Sequence, residues 1–149
     1  MKKVILWITI PFIAIQFIDI EIPKTPDIKK DLNLKAPDRV ISTLKRSCYD
    51  CHSYNTKYPW YSNIAPISWY VKSHIKKGRE ILNFSIWQSY TKEKKIDILE
   101  KIPKAIVIRM PMPTYLWLHK EAKLSKEDKR VLKSWASNLK NSLEKEVKR

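Results

Sequence analysis

The chain has 149 residues, a length that suits one domain. A single glycine among frequent Lys, Ile and Leu speaks for helix and against a sheet-rich fold. Thirty Lys and Arg against 15 Asp and Glu give a formal net charge of +15. Such a surface attracts anionic lipid headgroups, acidic proteins or nucleic acid, unless it serves solubility alone.

The N-terminus reads as the first element. Lys2 and Lys3 precede an apolar run from Val4 to Ile18, the order of an export signal. No small-x-small cleavage site follows, since Asp19, Glu21 and Pro23 come next, and no cysteine ends the run to carry a lipid. The expectation is an uncleaved signal-anchor over residues 1–20 that crosses the bacterial inner membrane once, with the rest in the periplasm. Cleavage at an unconventional site is the competing reading, and it too exports the remainder. Residues 21–36 carry Pro23, Pro26 and scattered charge, and read as a linker.

A domain over residues 37–143 follows. Pro37-Asp38 opens a helix whose apolar line is Val40, Ile41, Leu44 and Cys48. That helix runs into Cys48-Tyr49-Asp50-Cys51-His52, which holds the only two cysteines of the chain. Ser53 to Ala65 is an aromatic loop. Pro66 starts a helix from Ile67 to Lys77, where Lys76 and Lys77 complement the dipole and Gly78 is expected to end it. Leu82, Phe84, Ile86 and Trp87 show no clear period. A helix from near Thr91 has Ile96, Leu99 and Ile102 on one face, and Pro103 is expected to kink or restart it on the way to Met110. The last helix is the best defined. Ser125 and Asp128 form a capping pair, and Val131, Leu132, Trp135, Leu139 and Leu143 make its buried stripe. Residues 144–149 are a charged tail. The fold class predicted is all-α.

The C-x-x-C-H run is the pattern by which c-type haem is attached. Two thiols so close can each join one haem vinyl group, and the adjacent imidazole of His52 is left to ligate iron. The opposite axial position then decides the chemistry. Arg109-Met110-Pro111-Met112-Pro113 offers Met110 or Met112, soft thioethers that favour ferrous iron and a higher potential. His74 and His119 are rivals that read more simply as satisfied imidazoles. Tyr58, Trp60, Tyr61, Trp69, Tyr70, Trp87, Tyr90, Tyr115 and Trp117 could line a haem pocket while serving as core.

These residues resemble the bacterial haem-binding domain family of small membrane-anchored, c-type cytochrome-like proteins. The resemblance is carried by C-Y-D-C-H-S, by Y-P-W-Y-S-N-I-A-P-I-S-W from Tyr58 to Trp69, and by H-I-K-K-G-R-E-I-L-N-F-S-I-W from His74 to Trp87. It resumes with M-P-M-P-T-Y-L-W-L-H-K-E-A-K-L-S from Met110 to Ser125. It implies haem c joined through Cys48 and Cys51 with His52 as proximal ligand, in an all-helical, cytochrome c-like domain. The family's Met-Pro falls on Met110-Pro111, which favours Met110 over Met112.

The expected function is one-electron transfer at the outer face of the inner membrane, with lysines steering an acidic redox partner, rather than enzymatic turnover. A haem peroxidase or a gas or redox sensor with an open distal site is the alternative, with His74, His119 or Arg109 as distal group. Structural zinc on Cys48, Cys51, His52 and another histidine is argued against by export, and zinc pairs do not usually carry His directly after the second Cys. A thiol–disulfide module lacks its βαβ surroundings. Nucleic-acid binding has only net charge behind it, and export would remove the partner.

Overall fold

A computed structural model of the chain describes residues 2–18, 20–21 and 30–148. The described residues are all-helical, with no strand among them. Among the described residues seven α-helices follow one another: α1 (Lys2–Ile15), α2 (Asp38–Ser47), α3 (Tyr49–His52), α4 (Ile67–Ile81), α5 (Lys92–Ile108), α6 (Pro113–Leu116) and α7 (Lys126–Val147). Short 3-10 turns lie at Lys30–Leu32, Trp60–Asn63, Phe84–Ser89 and Lys120–Ala122. Half of the predicted linker, residues 22–29, lies outside the described residues. Beyond them Leu34 is already core, its amide donating to the Phe84 carbonyl at 2.9 Å.

Helices α5 and α7 form the main layer. They run antiparallel, since Lys92 at the start of α5 pairs with Glu146 at the end of α7 (3.1 Å), while Glu100 meets Lys140 (3.3 Å). Those pairs are exposed and contribute at most about 1 kcal/mol each. The apolar stripe between them does more: Leu99, Ile102 and Ile106 of α5 are buried in one cluster with Leu132 and Ala136 of α7. Val40 and Leu44 of α2 complete that cluster with Phe84 and Trp87. Each large aliphatic side chain so buried stabilises the fold by about 1.5–3 kcal/mol. Both long helices start on hydroxyl caps. Thr91 accepts from the Lys94 amide, and Ser125 and Asp128 close a reciprocal capping box.

Three expectations need correction. Pro103 neither kinks α5 into two elements nor restarts it, because the helix runs unbroken from Lys92 to Ile108. An interior proline costs about 3 kcal/mol, and the burial of Leu99, Ile102 and Ile106 around it exceeds that. Gly78 does not end α4; the helix continues to Ile81 and stops at Leu82, which is extended. Gly78 is instead buried where α4 meets α3.

The third correction concerns the N-terminus. No helix among the described residues is long and apolar enough to cross a membrane, so the single-pass anchor and the location built on it are not supported. Helix α1 has 14 residues, about 21 Å at 1.5 Å per residue, against a hydrocarbon core of about 30 Å. It contains Pro11, and it stops before Gln16. The Gln16 amide donates back to the Phe12 carbonyl (2.9 Å) and across to the Ala65 carbonyl (3.1 Å), while its oxygen accepts from the Ala65 amide (2.9 Å). A polar residue thus halts the run and docks it on the loop ahead of α4.

Candidate haem-attachment site

The site is built from the junction of α2 and α3. The Cys48 amide still donates to Leu44 in α2 (2.8 Å), but Cys48 leaves helical geometry with φ −132°. The chain then makes one fresh turn, with the Cys51 and His52 amides both donating to the Cys48 carbonyl at 3.2 and 2.9 Å. The motif therefore does not simply finish α2; it forms its own turn, with Cys48 at the break and Cys51 and His52 inside α3. Both thiols are free and half-buried.

Helix α4 holds this turn from behind. A Cβ on Gly78 would stand 2.5 Å from the Cys51 carbonyl oxygen, so only glycine allows the approach. The approach brings the His52 ring onto two backbone carbonyls, with Nδ1 3.0 Å from Gly78 O and 3.1 Å from Leu82 O. Both partners are acceptors, so Nδ1 must carry the proton and donate. The Nε2 atom is left with its lone pair, as in a metal-ligating histidine oriented by a backbone carbonyl. Burial pushes the His52 pKa down and so favours the neutral ring, against the opposing pull of the Leu82 and Gly78 carbonyls. Phe84 fixes the ring plane edge-on at 6.5 Å and stacks on Tyr49 at 5.3 Å.

Burial also pushes the Cys48 thiol up to about 12, with Cys51 adding to the rise and Arg46 opposing it. Cys51 rises to about 11 through burial and the Asp50 charge, against Arg79. Both are protonated thiols at neutral pH. That weighs against a thiol–disulfide exchange centre, which works through a lowered pKa.

A polar frame surrounds the motif. Arg79 donates to the Ser53 carbonyl and to Thr56 Oγ1, both at 2.9 Å, and lies 5.1 Å from the Tyr54 ring centroid. Thr56 in turn donates to the Asp50 carbonyl at 2.7 Å. The Asp50 carboxylate accepts from the Lys57 amide (3.0 Å) and from Tyr115 OH (2.7 Å).

The two methionine candidates flank the step from α5 to α6. Met110 follows the end of α5, its amide donating to the Ala105 carbonyl at 2.9 Å, and the Met110–Pro111 bond is cis. Met112 caps the N-terminus of α6. Both side chains are partly buried. The rival histidines differ. His119 has both ring nitrogens engaged, Nε2 with Tyr61 OH (2.7 Å) and Nδ1 with Glu121 (3.2 Å). His74 places Nδ1 2.8 Å from its own helix carbonyl at Tyr70. The expected aromatic lining is uneven: Trp87 is core at 3% exposure, whereas Trp60 and Trp117 are 76% and 74% exposed.

The family model for the haem-binding domain matches residues 10–138. The chain belongs to the haem-binding domain family. Comparison with curated proteins and with solved structures gave no match. The donor set fits the group that this family holds: one imidazole nitrogen with a free lone pair, two reduced thiols beside it and a backbone-fixed ring. Among the described residues no group of three or more His, Cys, Asp and Glu side chains is placed to hold a metal ion. A zinc centre on Cys48, Cys51 and His52 is disfavoured accordingly.

Sequence reasoning missed the Gly78 and Leu82 carbonyls and Asp50, and it named Tyr115 as pocket lining without its hydrogen bond to Asp50. Carbonyl acceptors leave no side-chain trace, but the only glycine of the chain was a signal for close backbone approach. Asp50 was in plain view between the cysteines.

Proposed function

We propose that this haem-binding domain carries covalently attached haem c and passes single electrons, without enzymatic turnover. The observation that supports it best is the His52 ring, whose Nδ1 is tied to Gly78 and Leu82 while Nε2 is left free. Cys48 and Cys51 would each add S–H across one porphyrin vinyl group, which needs both sulfurs reduced, as they are here. His52 Nε2 would ligate iron on one face and Met110 on the other, with Met112 as the alternative. When bound, the group supplies a one-electron ferric–ferrous couple. The all-helical domain would then be cytochrome c-like, with its attachment motif after α2 and its methionine segment ahead of α7.

A pyridine haemochrome spectrum of protein matured by cytochrome c machinery should show two saturated vinyl groups. Its mass should exceed that of the chain by one haem. Cys48→Ser or Cys51→Ser should each leave one vinyl unsaturated, and colourless protein with free thiols would refute the reading.

The partner that suits this charge is an acidic redox protein. Lys126, Lys129, Arg130 and Lys133 line a shallow cleft along the outer side of α7. Association there should slow as salt is raised, because steering between exposed opposite charges is screened over about 8–10 Å. Stopped-flow electron transfer with an acidic acceptor at rising ionic strength measures this, and a flat profile would remove the surface from consideration.

The alternative, a haem peroxidase or sensor with an open distal site, draws on His74. Its Nδ1 is held by Tyr70 and its Nε2 has no hydrogen-bond partner among the described residues. Carbon monoxide binding to the reduced protein without ligand displacement would favour it.

A further inference from the structure

The segment that carries the methionine candidates is tied to the attachment motif by side chains that the proposed chemistry has not used. Tyr115 of α6 donates to Asp50 Oδ2 at 2.7 Å, and Asp50 lies between Cys48 and Cys51. The same tyrosine ring stacks on His119, with centroids 4.3 Å apart and planes 13° apart. His119 is held in turn by Tyr61 OH at 2.7 Å. One residue before, Thr114 Oγ1 meets Tyr70 OH of α4 at 2.9 Å. The Leu116 amide closes the first turn of α6 onto the Met112 carbonyl at 3.1 Å. Helix α6 is only four residues long and has no fully buried side chain of its own. Apolar packing therefore does little to fix it, and polar contacts set its place.

We propose that Asp50 and Tyr115 are positioning residues for the sixth iron ligand: their hydrogen bond straps the methionine-bearing segment to the turn that carries the cysteines. The strap rests on the reading of a methionine ligand given above. Asp50 is suited to the role because its second carboxylate oxygen is fixed by the Lys57 amide and its carbonyl by Thr56. The carboxylate is thereby held in place as the acceptor before Tyr115 reaches it. A thioether is a weak, neutral ligand, so its hold on iron depends on a loop kept within reach.

The test uses the full haem-loaded chain with Tyr115→Phe, which keeps the ring on His119 and removes only the hydroxyl. The weak near-infrared methionine–iron band should fade, and carbon monoxide affinity of the reduced protein should rise about tenfold, as loss of one charge-assisted hydrogen bond allows. Asp50→Asn should act in the same direction. The double variant should be no worse than the stronger single one, because both remove one interaction. An unchanged band and carbon monoxide affinity in Tyr115→Phe, or additive effects in the double variant, would overturn the strap while leaving methionine ligation standing. Absence of the band in the parent protein, with Met110→Ala and Met112→Ala both silent, would overturn methionine ligation itself and the strap with it.

Discussion

Replacing Gly78 by alanine is expected to destabilise the protein by about 2–4 kcal/mol, the sum of overpacking and lost hydrogen bonds. In an exposed helix the same change stabilises by up to about 1 kcal/mol, so the sign of the effect is itself diagnostic. Here the new Cβ would meet the Cys51 carbonyl oxygen at 2.5 Å and its carbonyl carbon at 3.2 Å. Both are backbone atoms of a tight turn, and no rotamer change can move them. Helices α3 and α4 must separate, and the His52 ring then loses one or both of its carbonyl acceptors. Chemical denaturation of Gly78→Ala beside the parent chain measures the loss. The haem content of matured protein should fall in parallel. A variant as stable as the parent, with full haem content, would show that the contact between the two helices does not govern the site.

The second large effect is at Asp128, 4% exposed at the head of α7. Its carboxylate accepts from Arg39 (3.0 Å) and Arg46 (2.7 Å) of α2 and from the Ser125 amide (3.1 Å). It thus joins the helix that precedes the cysteines to the last helix. Both arginines are more than a third exposed, so solvent screens them and the pairs are worth less than buried ones. Asp128→Asn is expected to cost about 1.5–3 kcal/mol, chiefly through charge-assisted hydrogen bonds lost by a buried acceptor. Burial pushes this carboxyl up, but the Ser125 bonds and the Arg46 charge outweigh it and hold the pKa below the ordinary value. For an acid depressed in the folded state, the stabilisation is complete above the unfolded pKa of about 3.9 and fades as pH falls through the folded value. Urea midpoints followed from neutral pH down to about pH 3 should fall less steeply in Asp128→Asn than in the parent. Equal slopes would mean that other carboxylates carry the acid sensitivity.

Local chemistry was legible in the sequence, and long-range placement was not. Ser125 and Asp128 announced the start of α7 because a capping box is a matter of residues three apart. The all-helical class followed from side-chain period and the near absence of glycine. The same sequence hid the role of Gly78, because a glycine after two lysines suits a helix end as well as a helix crossing, and only the packed partner distinguishes them. Pro103 misled for a related reason: tertiary burial of Leu99, Ile102 and Ile106 overrides a local penalty. The N-terminal run counted as a membrane span by composition, yet the folded helix passes through Pro11 and stops at Ile15, ahead of Gln16. At the candidate site, the motif gave the cysteines and His52 as a group. The ring's orientation comes from carbonyls 26 and 30 residues away, which no window along the chain could reveal.

The end of α4 has an electrostatic consequence for His52. The last carbonyls of a helix bear its partial negative charge, and the imidazole N–H is aimed at that terminus. Electron density is thereby pushed through the ring toward its opposite nitrogen, making it a stronger σ-donor than an imidazole facing water. Any metal sharing that nitrogen would find its higher oxidation state favoured, a downward bias on the reduction potential that a thioether on the far side would have to offset.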